Sequence, residues 1–167
     1  LNLAKAKAPL RLSGSTRDRV VKVELPDLDA MNAFGERIAA KLVPGDVVAL
    51  TGGLGAGKTT LARAVIAALG YNGEVPSPTF TIIETYDPPA VSLPLVHADF
   101  YRLKSPSEVE EIGLADYREG AILVAEWPDH AGGFAHEANC LSILLETADE
   151  GRIAIVEAGV GWLSRLP

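Results

Sequence analysis

Residues 20–24 (Val-Val-Lys-Val-Glu) alternate between the two faces and are β-branched, which predicts a strand. Pro26 and Asp27 then open a helix, with Asp27 placed as its N-cap. Leu28, Met31, Gly35, Ile38 and Leu42 recur at spacings of three and four and form one apolar face. Pro44-Gly45-Asp46 supplies the stop. Residues 47–50 (Val-Val-Ala-Leu) are wholly apolar, as expected of a parallel strand covered on both faces. A glycine-rich loop follows, then residues 59–69, where Arg63 is the single charge. That segment predicts a nearly buried helix stopped by Gly70.

The second half is more broken. A loop with two prolines covers 72–78, and 79–86 predicts a strand. Asp87-Pro88-Pro89 turns the chain, and 91–97 predicts another strand, broken or at a sheet edge because of Pro94. Ser107 and Glu110 have the spacing of a capping box. Residues 121–125 are again apolar and strand-like. Two late runs, 141–145 and 152–157, flank Asp149-Glu150-Gly151 and predict a hairpin. Strands that alternate with helices early and pair directly late imply an α/β fold. Its sheet is parallel at the centre, antiparallel at its margins and flanked by helices.

Composition changes this picture little. With 167 residues, 48% apolar and 22% charged, the chain is long enough for one domain, taken as residues 20–167, with a core that needs no staple. Cys140 is the only cysteine, which rules out an internal disulfide and fits a reducing, cytoplasmic setting. No apolar run is long enough to span a bilayer, and 1–19 lacks the apolar stretch of a secretory signal. Charge is informative through its distribution. Residues 1–19 carry a net +4 and are expected to form a flexible basic arm; the remainder carries −11. An acidic body argues against gripping nucleic acid alone by charge.

The sharpest signal is Gly52-Gly53-Leu54-Gly55-Ala56-Gly57-Lys58-Thr59, which fits the phosphate-loop pattern G-x-x-x-x-G-K-[ST]. Glycines let the backbone turn and approach phosphate without a Cβ in the way. Successive N–H groups and the following helix N-terminus then converge on the anion. Lys58 is expected on the β- and γ-phosphates, and the Thr59 hydroxyl on Mg²⁺. The pattern arises by chance about once in two hundred chains of this length, and here an apolar strand precedes it and a helix follows.

A phosphate loop needs a carboxylate at a neighbouring strand end to hold Mg²⁺ or its waters. Asp99 and Glu126 each end an apolar run, so each is a candidate for the carboxyl edge of the sheet. Ser77-Pro78-Thr79-Phe80-Thr81 is either a switch-like segment with a hydroxyl for phosphate or metal, or an ordinary proline turn. Trp127, taken alone, reads as core. His97, His130 and His136 have no metal-ligand spacing; His97 reads as a hydrogen-bonding residue at a strand end. The guanine-reading motif N-K-x-D and the transporter segment L-S-G-G-Q are both missing from the sequence, and no arginine cluster follows the loop.

These residues resemble the TsaE (YjeE) family of P-loop ATPases of tRNA threonylcarbamoyladenosine biosynthesis. The resemblance runs through L-G-A-G-K-T-T at 54–60, S-P-T-F-T at 77–81, H-A-D-F-Y-R-L at 97–103, E-I-G-L-A-D-Y at 111–117 and E-W-P at 126–128. It implies ATP and Mg²⁺ as cofactors and TsaB and TsaD as partner proteins, with tRNA reached through the complex. Carried over by position, residues 52–60, through Thr60, hold the nucleotide. Lys58 and Thr59 contact phosphate and Mg²⁺, Thr79 is the switch-like hydroxyl, Asp99 and Glu126 are the acidic pair, and Trp127 becomes a site residue. The chain departs from the family pattern at Gly53, Ala125 and Asp129-His130, all at loop edges. Two other classes stay open on the residues alone: a small-molecule kinase, and a nucleotide-gated binding module without turnover.

Overall fold

The structure, a computed structural model, describes residues 19–167. The basic arm expected over 1–19 lies outside the described residues, except for Arg19, which opens the first strand. In chain order the strands are β1 (Arg19–Leu25), β2 (Val47–Thr51), β3 (Ile83–Tyr86), β4 (Leu95–Asp99), β5 (Ile122–Glu126), β6 (Cys140–Thr147) and β7 (Arg152–Ala158). The helices are α1 (Leu28–Ala39), α2 (Lys58–Ala68), α3 (Glu108–Glu111) and α4 (Leu114–Arg118). Short 3₁₀ turns occupy Pro128–Ala131 and Val160–Trp162.

All seven strands form one sheet in the order β1-β7-β6-β2-β5-β4-β3. The central four, β6, β2, β5 and β4, are parallel. β7 and β1 continue antiparallel on one side, and β3 is antiparallel on the other. This is the α/β architecture expected from the sequence. The apolar runs in the central strands follow from it, because both sheet faces are covered. Val48, Leu50, Ile122, Val124, Leu141 and Ile143 cluster with Met31, Phe34 and Ile38 of α1 and Leu61 and Val65 of α2. The alternate residues Val47, Ala49, Leu123, Ala125, Val96 and Ala98 cluster with Phe100, Leu103, Leu114 and Phe134.

α1 starts as its sequence implies: the Asp27 carboxylate accepts the Ala30 N–H at 2.8 Å. Its buried face is Met31, Phe34, Gly35, Ile38 and Ala39. Leu28, expected on that face, is 61% exposed, because the first helical position here turns to solvent. Gly35 sits at the crossing with α2, where an added Cβ would come within 2.5 Å of the Ala64 Cβ.

Three local expectations are corrected. The strand expected over 79–86 begins only at Ile83. The Ile82 N–H is spent on the Pro78 carbonyl at 2.7 Å, closing a turn over 78–82. The strand expected over 91–97, broken or at an edge, is broken at Pro94: it begins at Leu95 and runs to Asp99, and with β5 and β3 on its two sides it is not an edge. Its start is delayed because the Ser92 N–H bonds the Leu69 carbonyl, while Pro94 precedes the strand and its carbonyl accepts from Ile122. Ser107 does not cap α3. Its backbone is already helical, and its hydroxyl pairs with Ser105 at 2.7 Å.

The parallel centre has one consequence for chemistry. β2, β5 and β4 are neighbours, and Leu50 is in register with Glu126, which is in register with Asp99. Both acids and the start of the glycine-rich loop therefore emerge together at the carboxyl edge of the sheet.

Candidate active site

The loop between β2 and α2 has the backbone its glycines predict. Gly52, Gly55 and Gly57 all have positive φ, at 141°, 75° and 106°. A Cβ on Gly52 would also come within 2.5 Å of the Leu145 carbonyl oxygen, so glycine is required there twice over. Lys58 opens α2 and folds back over the loop. Its ammonium donates to the carbonyls of Gly52 at 2.7 Å and Gly53 at 2.8 Å. It also lies 4.4 Å from the centroid of the Trp127 ring. Burial pulls the Lys58 pKa below its ordinary value, and the nearby carboxylates of Glu126 and Asp99 oppose that pull.

Strand alternation puts His97 and Asp99 on the α1–α2 side of β4, and Glu126 on the same side of β5. Both acids are buried, and both are held by two donors. Glu126 accepts the Thr59 hydroxyl on Oε1 at 2.7 Å and pairs with His97 Nε2 through Oε2 at 2.7 Å. Asp99 accepts the Thr79 hydroxyl on Oδ2 at 2.9 Å and the Tyr101 N–H on Oδ1 at 2.9 Å. Thr79 is itself 2.9 Å from the Ser77 hydroxyl. The S-P-T-F-T segment is thus a turn, and its hydroxyl reaches an acid of the site.

One cleft of about 290 Å³ collects these groups. The structure brings Leu54, Gly55, Ala56, Gly57, Lys58, Thr59 and Thr60 to its wall, together with Thr79, Asp99, Glu126 and Trp127. Gly52 and Gly53 are not on the wall and enter through the carbonyls that bind Lys58. Trp127 adopts a left-handed backbone, φ 53° and ψ 51°, which is unusual for a bulky residue. Ile82, at the end of the switch-like turn, has φ 69°. Of these two positive-φ residues other than glycine, the only ones among the described residues, Trp127 lines the cleft and the Ile82 carbonyl accepts the Asp99 N–H. Strain of this kind concentrates at functional sites.

Three contributors were not singled out as site residues from the residues alone. Tyr101 lines the cleft, and its ring lies 5.0 Å from that of Trp127. His130 stands 5.4 Å from the Trp127 ring and bonds the Phe100 and Tyr101 carbonyls through Nδ1. Arg152 reaches the loop from β7, with Nε on the Ala56 carbonyl at 3.0 Å and a terminal nitrogen on the Gly55 carbonyl at 3.1 Å. Tyr101 falls inside the Y-R-L signature, so a signal existed for it. For Arg152 there was none, since the contact spans almost a hundred residues. Arg102 of the same signature does not line the cleft; its guanidinium lies over the Phe80 ring at 5.1 Å.

The donor set suits a nucleotide with Mg²⁺. Among the described residues no cluster of three His, Cys, Asp or Glu side chains would cage a metal unaided. Mg²⁺ is typically held by one or two carboxylates, with phosphate oxygens and water completing the shell. Thr59, Glu126 and Asp99 could offer that partial set, both carboxylates being buried beside the Lys58 ammonium.

Comparison with known proteins agrees with the geometry. The family model for threonylcarbamoyl adenosine biosynthesis protein TsaE matches residues 25–154. The tRNA threonylcarbamoyladenosine biosynthesis protein TsaE of Haemophilus influenzae is 36% identical over 134 residues, covering 77% of this chain and 83% of the relative. The Synechocystis protein of the same name is 41% identical over 110 residues, covering 63% and 68%. In three dimensions the chain is similar to a crystal structure of YdiB from Bacillus, with a TM-score of 0.70, 30% identity and coverage of 87% and 89%. With the model match spanning most of its length, the chain belongs to the TsaE family.

Proposed function

We propose that this chain is a Mg²⁺-dependent ATPase that supports tRNA threonylcarbamoyladenosine modification together with TsaB and TsaD partner proteins. The observation that carries the reading is the convergence of the phosphate loop with Glu126 and Asp99 in one cleft, each acid fixed by two hydrogen bonds. The family relationship supports the place in tRNA modification.

In this reading the loop amides and Lys58 bind the β- and γ-phosphates. Thr59 turns its lone pairs toward the cation, its proton being committed to Glu126. With Thr59 and the two acids as its holders, a bound Mg²⁺ would supply charge neutralisation at the phosphates. Glu126 holds Thr59 and would be the acid on the side of the cation. Asp99 orients water, and Thr79 links it to a segment able to reorder around the γ-phosphate. Trp127 shields Lys58 from solvent and strengthens its contacts in the cleft. Asp and Glu outnumber Lys and Arg by seven, which leaves tRNA contact to the assembled complex.

The test is phosphate release from ATP by the purified chain, with Mg²⁺ and with excess EDTA. Mg²⁺-dependent release is expected. Release only when a phosphate-accepting small molecule is added would indicate a kinase instead. ATP binding with no release, even with both partner proteins present, would indicate a binding module.

A further inference from the structure

Arg152 is built into an unusually fixed place. It opens β7 in register with Leu25 of β1 on one side and Thr147 of β6 on the other. The preceding Gly151 has φ 69°, and a Cβ there would collide with the Leu25 carbonyl oxygen, so the backbone is packed tightly at this point. From this platform the guanidinium crosses to the phosphate loop. Nε and one terminal nitrogen bond Ala56 and Gly55, and the other terminal nitrogen bonds the Gly151 carbonyl at 2.9 Å. Among the described residues no carboxylate forms an ion pair with it. A cation spent wholly on carbonyls is holding backbone and neutralises no acid.

Peptide geometry gives that hold a direction. In a trans peptide the C=O and the N–H point opposite ways. With the Ala56 carbonyl drawn to Arg152, the N–H of Gly57 in the same peptide is turned away from the guanidinium, and Gly57 lines the cleft. A loop free to flip that peptide would present an oxygen to the phosphates instead, and two like-signed groups would meet. We propose that Arg152 is a positioning residue of the phosphate loop, fixing the Ala56 carbonyl outward so that the nucleotide phosphates meet the Gly57 N–H, while its bond to the Gly55 carbonyl braces a turn whose Ala56 N–H is already spent on the Gly53 carbonyl. This inference rests on the nucleotide reading above and adds a residue from the antiparallel margin to it. Charge alone does not account for the contact, because the two loop bonds require the planar fork of a guanidinium.

The experiment compares wild type with Arg152→Lys, Arg152→Gln and Arg152→Ala. ATP affinity is measured by calorimetry, and backbone amide spectra are recorded by NMR without nucleotide. Arg152→Gln and Arg152→Ala are expected to weaken ATP binding about 10- to 100-fold, the range for charged hydrogen bonds. Their Ala56 and Gly57 amide signals should shift or broaden, while the signals of β4 and β5 stay in place. Arg152→Lys should recover only part of the affinity, since an ammonium cannot bond both carbonyls in the same geometry. Full recovery by lysine would overturn the proposal in favour of a simple charge effect. So would unchanged affinity and unchanged loop amides in Arg152→Ala. If the two neutral variants do not fold, the lysine variant decides between the same outcomes. Failure of wild type to bind ATP would overturn the nucleotide reading instead, and the ligand-free spectra would still decide whether Arg152 sets the loop.

Discussion

The Thr59 hydroxyl donates to Glu126 across 2.7 Å, joining the first turn of α2 to the end of β5. The contact commits the hydroxyl proton and leaves oxygen lone pairs on Thr59 for a cation. It also fixes the carboxylate, whose other oxygen is paired with the fully buried His97. Among the described residues His97 Nδ1 has no partner, so the ring serves Glu126 through one nitrogen. Hydrogen bonds of the chain itself therefore fix the groups that, in the proposed reading, would hold the cation, and such preorganisation is what electrostatic catalysis requires.

Glu126→Gln keeps an acceptor for Thr59, and His97 can change tautomer to suit the new amide. We expect this variant to fold and to bind ATP, with hydrolysis reduced about 100-fold or more, the scale of losing one organised electrostatic group. Asp99→Asn keeps one acceptor for Thr79 or Tyr101, with the same expectation. Steady-state phosphate release with a parallel binding titration checks both. Normal rates in both variants would remove these acids from the mechanism.

Lys58→Ala removes the ammonium that binds Gly52 and Gly53. ATP affinity should fall about 10- to 100-fold for loss of a charge-assisted contact. The fold should survive, because a buried lysine contributes little to the core. Calorimetric titration and a circular dichroism melt measure the two effects separately. A folded variant with wild-type affinity and turnover would contradict the assignment.

The loop, both acids and the sheet class were legible in the sequence because each depends on a local pattern. The apolar run 47–50, the glycine spacing and the strand-end positions of Asp99 and Glu126 needed no tertiary information. A hydroxyl of residues 77–81 was already a candidate from the residues, and the family resemblance singled out Thr79; Trp127 became a site candidate only through that resemblance, since a lone tryptophan is more often core. What stayed hidden was set by distant partners. Residues 79–82 have strand-like composition, yet Ile82 spends its N–H on Pro78 and Thr79 its hydroxyl on Asp99. Leu28 fits the helical period but faces water. Arg152 carries no motif, and its loop contacts arise from how the β6–β7 turn packs against Leu25 and Pro26 and reaches the phosphate loop.

Gly35 permits the close approach of α1 and α2. Gly35→Val should destabilise the fold by about 1–3 kcal/mol through overpacking against Ala64. For a chain of this length that lowers Tm by roughly 2–12 °C, measurable by scanning calorimetry. An unchanged Tm would mean that the helices separate without cost.

Cys140 is buried, and that burial raises its thiol pKa from 9.0 to about 11. The folded state holds the proton that the unfolded chain releases first, so this contribution is complete below pH 9. It is lost as pH rises from about 9 to about 11, and amounts to roughly 2–3 kcal/mol. Native protein should resist thiol reagents at pH 8, and Cys140→Ala should lose less stability than wild type between pH 9 and 11. Urea titrations across that range check the second point; parallel losses in the two proteins would count against it.

The central claim is that this site turns over ATP in the service of an assembly. Nothing in the described cleft supplies an arginine to the transferred phosphate: Arg102 lies over Phe80 and Arg152 is spent on carbonyls. The most direct measurement is the rate of phosphate release from ATP by this chain alone, compared with the rate in the presence of TsaB, TsaD and tRNA. We predict slow release alone and faster release in the full mixture, with the acceleration abolished by Glu126→Gln. Equal rates in the two conditions, or acceleration that survives Glu126→Gln, would contradict it.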